Sequence, residues 1–138
     1  MPNETAHPHE TAIARLIAIM ARLRDPDEGC AWDLQQTHET IVPYTIEEAY
    51  EVAEAVKSGN PDELKDELGD LLLQVVFQAR IAEEANTFDF EAVAKAISTK
   101  MVRRHPHIFG ETTYRNRAEQ REAWEAIKAE ERLSLIHI

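Results

Sequence analysis

DELKDELGDLLLQVVFQARIA, residues 62–82, changes character part way along. At about 100° per residue, Glu63, Glu67 and Asp70 share one side of a helix, at i, i+4 and i+7. One and two turns further on, that side carries Leu73, Phe77 and Ile81. Leu68, Leu72, Val75 and Ala79 fill the opposite side. A helix apolar on both sides is buried on both sides, here against its own chain and a partner chain. Its carboxylates then face an interior that water reaches only in part.

The neighbouring segments also read as helix. Asn60 and Pro61 supply an N-cap and an N1 proline, so this helix starts there and runs to about Ala85. Ser58-Gly59 ends the helix before it, expected over Thr45 to Val56, and the short link makes the two antiparallel neighbours. Thr11 to Leu23 carries a stripe of Ile13, Leu16, Ile17, Met20 and Leu23. Pro26 and Gly29 mark a loop, and LQQTHETIVPY is a short helical entry that Pro43 interrupts or begins again. Asp89 to Arg104 and Asn116 to Arg132 complete the set. The fold class is all-α, a helical bundle completed by dimerisation. Residues 1–10 are expected to be a flexible N-terminus and 11–132 the working domain. Residues 133–138, LSLIHI, are set aside as a tail, added or left by truncation.

Composition narrows the function. The 138 residues are 43% hydrophobic and 30% charged, with a net charge of −11. That balance argues against gripping nucleic-acid backbone or anionic lipid over a broad face. It leaves room for a small nucleotide held through a metal. No run of about 18 apolar residues and no secretory leader is visible. The single cysteine, Cys30, excludes an internal disulfide and suits a reducing cytoplasm.

Between Thr45 and Asp70 stand nine Asp or Glu and two Lys. In TIEEAYE, Glu48 and Glu51 border the apolar face made by Ile46, Ala49, Val52, Ala53 and Val56, while Glu47 lies further round. No basic residue at helical spacing compensates Glu48, Glu51, Glu67 and Asp70. Carboxylates near a core need a partner, and an all-oxygen set selects a hard cation, Mg2+ or Mn2+. Four carboxylates exceed the charge of one such ion, which leaves two ions with a phosphate substrate open. Two other accounts stand beside this: a capping box at Thr45-x-x-Glu48, and a solvated acidic face.

Glu47-Glu48-x-x-Glu51, a 15-residue gap, then Glu67-x-x-Asp70 resembles the EExxE…ExxD signature of the MazG-type all-α nucleoside triphosphate pyrophosphohydrolases. LRDPDEGCAWDLQQTHETIVPYTIEEAYEV, ELGDLLLQVVFQARIAEE, RRHPHIFG and WEAIKAEE follow the family order, over roughly Ile13 to Arg132. The loop departs from it at Ala31, where the family has proline before the tryptophan. The resemblance implies that Glu48, Glu51, Glu67 and Asp70 bind Mg2+, which Mn2+ may replace, and that Glu47 orients the attacking water. It implies hydrolysis of NTP or dNTP to NMP and pyrophosphate by a homodimer or higher homo-oligomer. It matches Lys100, Arg103 and Arg104 to substrate-binding positions, where helix-dipole compensation is the other account. Trp124 is implied as a substrate contact. Trp32 can also stack on a base, with loop packing as its other role. The alternative function is a weak or silent member of the family, a nucleotide-binding or dimerisation module.

Overall fold

The computed structural model describes residues 10–136, and every element among them is helical: α1 (Ala12–Leu23), α2 (Ala31–Leu34), α3 (His38–Ser58), α4 (Pro61–Glu84), α5 (Phe90–Arg104), α6 (Pro106–Phe109) and α7 (Arg117–Ile136). Of the expected N-terminal stretch, residues 1–9 lie outside the described residues. No helix among the described residues is long and apolar enough to cross a membrane. The chain divides into two compact units, one up to Phe90 and one from Glu91 onward.

In the first unit, α4 packs along α3 and against α1. The α3–α4 pair is antiparallel, because Gln78 late in α4 reaches back to the start of α3. Its Nε2 donates to the His38 carbonyl at 2.9 Å, and its Oε1 pairs with His38 Nδ1. The link between them is as the sequence foretells. Gly59 closes α3 in the left-handed region at φ 70°, and Asn60 Oδ1 accepts from the Asp62 amide at 2.9 Å. Met20, Ile41, Val76 and Phe77 form the buried core, with Ile13, Leu16, Ile17, Leu73 and Ile81 packed around it.

The start of α3 departs from expectation. The helix begins at His38 and runs through Pro43, which removes only one donor near the N-terminus. Thr37 and Thr40 form the cap: the Thr40 amide donates to Thr37 Oγ1 at 3.3 Å and the Thr37 amide to Thr40 Oγ1 at 2.7 Å. Thr45 is therefore inside the helix, where its hydroxyl donates to the Ile41 carbonyl at 3.3 Å. The capping box at Thr45 and Glu48, the other account of Glu48, does not form, so Glu48 is free of that duty.

Arg24, buried at the end of α1, fastens the loop. It donates to the Asp33 carbonyl at 2.6 Å and the Gln36 carbonyl at 3.1 Å, and pairs with Glu84 at 2.7 Å. In the second unit, α7 passes the expected end at Arg132 and continues to Ile136, so residues 133–136 extend a helix. Gly69 has open space around a would-be Cβ, so no close approach within this chain requires it.

Candidate functional site

On α4, Glu67 and Asp70 are three residues apart and share a side. The antiparallel α3 brings Glu48 to them. One carboxylate oxygen from each of Glu48, Glu67 and Asp70 lies within 4.8 Å of the other two, close enough for one cation to touch all three. All three are half-buried. Glu48 Oε2 is buried with no hydrogen-bond partner. Among the described residues, none of Glu47, Glu48, Glu51, Glu67 or Asp70 belongs to a salt bridge.

The electrostatics record the crowding. Loss of water is the first cause that raises Glu48, and the Asp70 charge is the second. Glu67 is raised by the same two causes, with Glu48 and Glu51 adding to them. Glu51 and Glu47 therefore act on the trio through charge while both stay exposed on α3. Glu51 was expected at the rim of the core as a fourth ligand; it stands outside the group of three.

Trp32 is 48% exposed and meets Tyr44 edge-on, ring centroids 5.7 Å apart. It fits both a packed loop and an open aromatic surface.

The second unit holds the expected cations. Lys100, Arg103 and Arg104 line a cleft of about 710 Å³ with Lys128 and Glu131 of α7. Both arginines are engaged: Arg103 Nη2 is 2.6 Å and Arg104 Nη2 2.7 Å from Glu131, whose pKa they pull down to about 2. Trp124, implied as a substrate contact, is half-buried. Lys128 Nζ lies 4.3 Å from its ring centroid and Arg104 Cζ 5.9 Å, so cation–π contact accounts for its cover. Its Nε1 is buried and unpartnered. Lys128 and Glu131 were not singled out from sequence. The readable signal is spacing, since Trp124, Lys128 and Glu131 fall at i, i+4 and i+7.

Fold and cluster together define an all-α domain built round a trio of carboxylates. Residues 36–109 match the MazG nucleotide pyrophosphohydrolase domain. The chain is 53% identical over 120 residues to the nucleoside triphosphate pyrophosphohydrolase of Escherichia coli (strain K12), covering 87% of this chain and 46% of that protein. It is 50% identical over 120 residues to the nucleoside triphosphate pyrophosphohydrolase/pyrophosphatase MazG of Thermotoga maritima, covering 85% and 44%. The crystal structure of a mazG-related protein from Thermotoga maritima superposes with a TM-score of 0.67 at 30% identity, covering 83% of this chain and 97% of that one. The chain belongs to the MazG nucleotide pyrophosphohydrolase family. It spans under half the length of the two curated relatives.

Proposed function

We propose that this chain hydrolyses ribo- or deoxyribonucleoside triphosphates to the monophosphate and pyrophosphate, by attack of water on the α-phosphorus. The observation that carries this is the trio of Glu48, Glu67 and Asp70 with a buried, unpartnered oxygen and, among the described residues, no salt bridge to a basic side chain. That donor set suits a hard divalent cation, Mg2+ or Mn2+, and disfavours softer metals. Glu48, Glu67 and Asp70 would hold it, with Glu51 adding charge or a fourth ligand through a rotamer change. When bound, the cation would polarise the α-phosphate and acidify water.

The side chains of this chain divide the remaining work. Glu47, exposed beside Glu48, orients the attacking water and takes its proton. In the second unit, Lys100, Arg103, Arg104 and Lys128 offer the positive charge that a polyphosphate needs. Trp32 in the first unit and Trp124 in the second are each a ring on which a base can stack. Residues 11–132 act as the working domain, in a reducing cytoplasm where exposed Cys30 stays free.

A second copy completes the bundle. Ile46, Tyr50 and Val56 on α3, and Leu68, Leu72 and Val75 on α4, are between 39% and 71% exposed in the single chain. Apolar residues gathered on two adjacent helices mark an interaction surface. Light scattering should return a multiple of the 15.7 kDa chain mass; the mass of one chain would remove this part of the proposal.

The reaction is tested by incubating the protein with each NTP and dNTP and Mg2+, with products separated by chromatography. Monophosphate and pyrophosphate should appear in equal amounts for at least one nucleotide. Asp70→Asn should lower turnover more than about a hundredfold while the fold persists. No product from any nucleotide would sink the proposal. Binding without product would establish the silent module instead.

A further inference from the structure

Glu131 on α7 bridges two consecutive arginines of α5. Its Oε1 accepts from Arg103 Nε at 2.9 Å and Nη2 at 2.6 Å. Its Oε2 accepts from Arg104 Nη2 at 2.7 Å and Nε at 3.3 Å. The side chains of Arg104 and Glu131 are each 17% exposed and that of Arg103 49%. Each arginine thus commits its Nε–Nη2 edge to the carboxylate. Among the described residues neither Nη1 nitrogen donates to a protein acceptor.

Two features of this bridge matter for an anion. Consecutive arginines repel and carry long, rotamer-rich stems, so an anion that had to gather them would lose affinity to ordering. A shared carboxylate removes the repulsion and fixes both stems in advance. It does so without cancelling the charge, since one carboxylate between two guanidinia leaves a net charge of +1. Lys100 and Lys128 line the same cleft.

We infer that Glu131 is a positioning residue for the polyphosphate: it takes one edge of each guanidinium, holds Arg103 and Arg104 side by side and leaves the Nη1 of each for phosphate oxygens. This role rests on reading the two arginines as phosphate ligands. The opposite behaviour, a carboxylate that competes with phosphate for the arginines, would show the reverse sign on its removal. Glutamine there keeps the shape but offers one acceptor and one donor, so one arginine loses its anchor and faces an N–H.

The test is calorimetric binding of inorganic pyrophosphate to the full chain at fixed Mg2+, which needs no turnover. Glu131→Gln should weaken pyrophosphate binding about tenfold, the loss expected for a mis-aimed charge-assisted hydrogen bond. Binding of a nucleoside monophosphate should stay level. Glu131→Asp keeps the charge and should remain within about threefold of the parent chain; it carries the comparison if the glutamine variant does not fold. Equal or tighter pyrophosphate binding by Glu131→Gln would overturn the role, and so would a parallel loss of monophosphate binding. A parent chain that binds no pyrophosphate also overturns it. A parent chain that binds pyrophosphate but hydrolyses no nucleotide contradicts the reaction alone and leaves the role of Glu131 standing.

Discussion

Glu48 is the residue on which the site turns. Water is excluded from one of its oxygens, and Asp70, Glu47 and Glu51 add negative charge around it. Glu67 is raised too, by loss of water and then by the charges of Asp70, Glu48 and Glu51. Both fold with a raised affinity for a proton. Their contribution to stability is therefore fully present below the ordinary carboxylate value, and it is lost as pH rises through the raised ones. In the metal-free chain, Glu48→Gln should raise the melting temperature by a few degrees at neutral pH. The gain should vanish as pH falls through the carboxylate range, where the parent side chain is itself neutral. A variant that melts lower at neutral pH, without added metal, would contradict this reading. The sequence shows this much of the trio because i, i+3 spacing on α4 and an adjacent apolar stripe are local facts. Which of Glu48 and Glu51 joins Glu67 and Asp70 depends on how α3 lies on α4, which spacing alone does not set. The clamp of Arg24 on two loop carbonyls is equally hidden, since those partners are chosen by the path of the chain.

At the scale of elements, α3 is where local reading and structure part. Proline is a strong breaker in a helix interior, and Thr-x-x-Glu is a good start signal, so a helix from Thr45 is the natural inference. Thr37 and Thr40 supply an earlier and complete cap, and Ile41, one of the largest fully buried side chains, ties that first turn to the core. Packing therefore carries the helix across Pro43. The two threonines can be told apart by experiment. Thr37→Ala should cost about 1 kcal/mol in urea unfolding, the usual value of a lost N-cap. Thr45→Ala should stay within about 0.5 kcal/mol, because an alanine favours the helix interior and only a back-bond to Ile41 is lost. The reverse order would restore Thr45 as the cap. The α4 boundaries were legible almost to the residue, since Asn-Pro at the start and Gly59 before it are physical stops that packing does not override.

For the whole molecule, the sequence shows a helix, α4, with two apolar sides; the structure covers one of them and, of the other, only Ala79. Phe77 is 3% exposed and Val76 2%, while Leu68, Leu72 and Val75 remain open. Truncating Phe77 to alanine should cost about 3–5 kcal/mol, read from the shift of the urea midpoint; a loss below about 1 kcal/mol would show that the core is loose there. The open residues are the part of the sequence signal that the single chain leaves uncovered, and the second copy proposed above would cover them. The five long helices were legible because periodicity is a property of each segment; the four-residue α2 and α6, read as loop and helix stop, are too short to show a period. The cleft of the second unit was legible only by halves. Lys100 and Arg104 announce themselves at i, i+4, but Glu131, the carboxylate that pairs with Arg103 and Arg104, comes from another helix.

The most direct measurement is a Mn2+ titration followed by electron paramagnetic resonance, on the parent chain and on Glu67→Gln at neutral pH. If Glu48, Glu67 and Asp70 hold the cation, the parent chain removes free Mn2+ from solution with a defined stoichiometry, and the variant binds at least about tenfold more weakly. Equal uptake of Mn2+ by the two proteins would contradict the assignment.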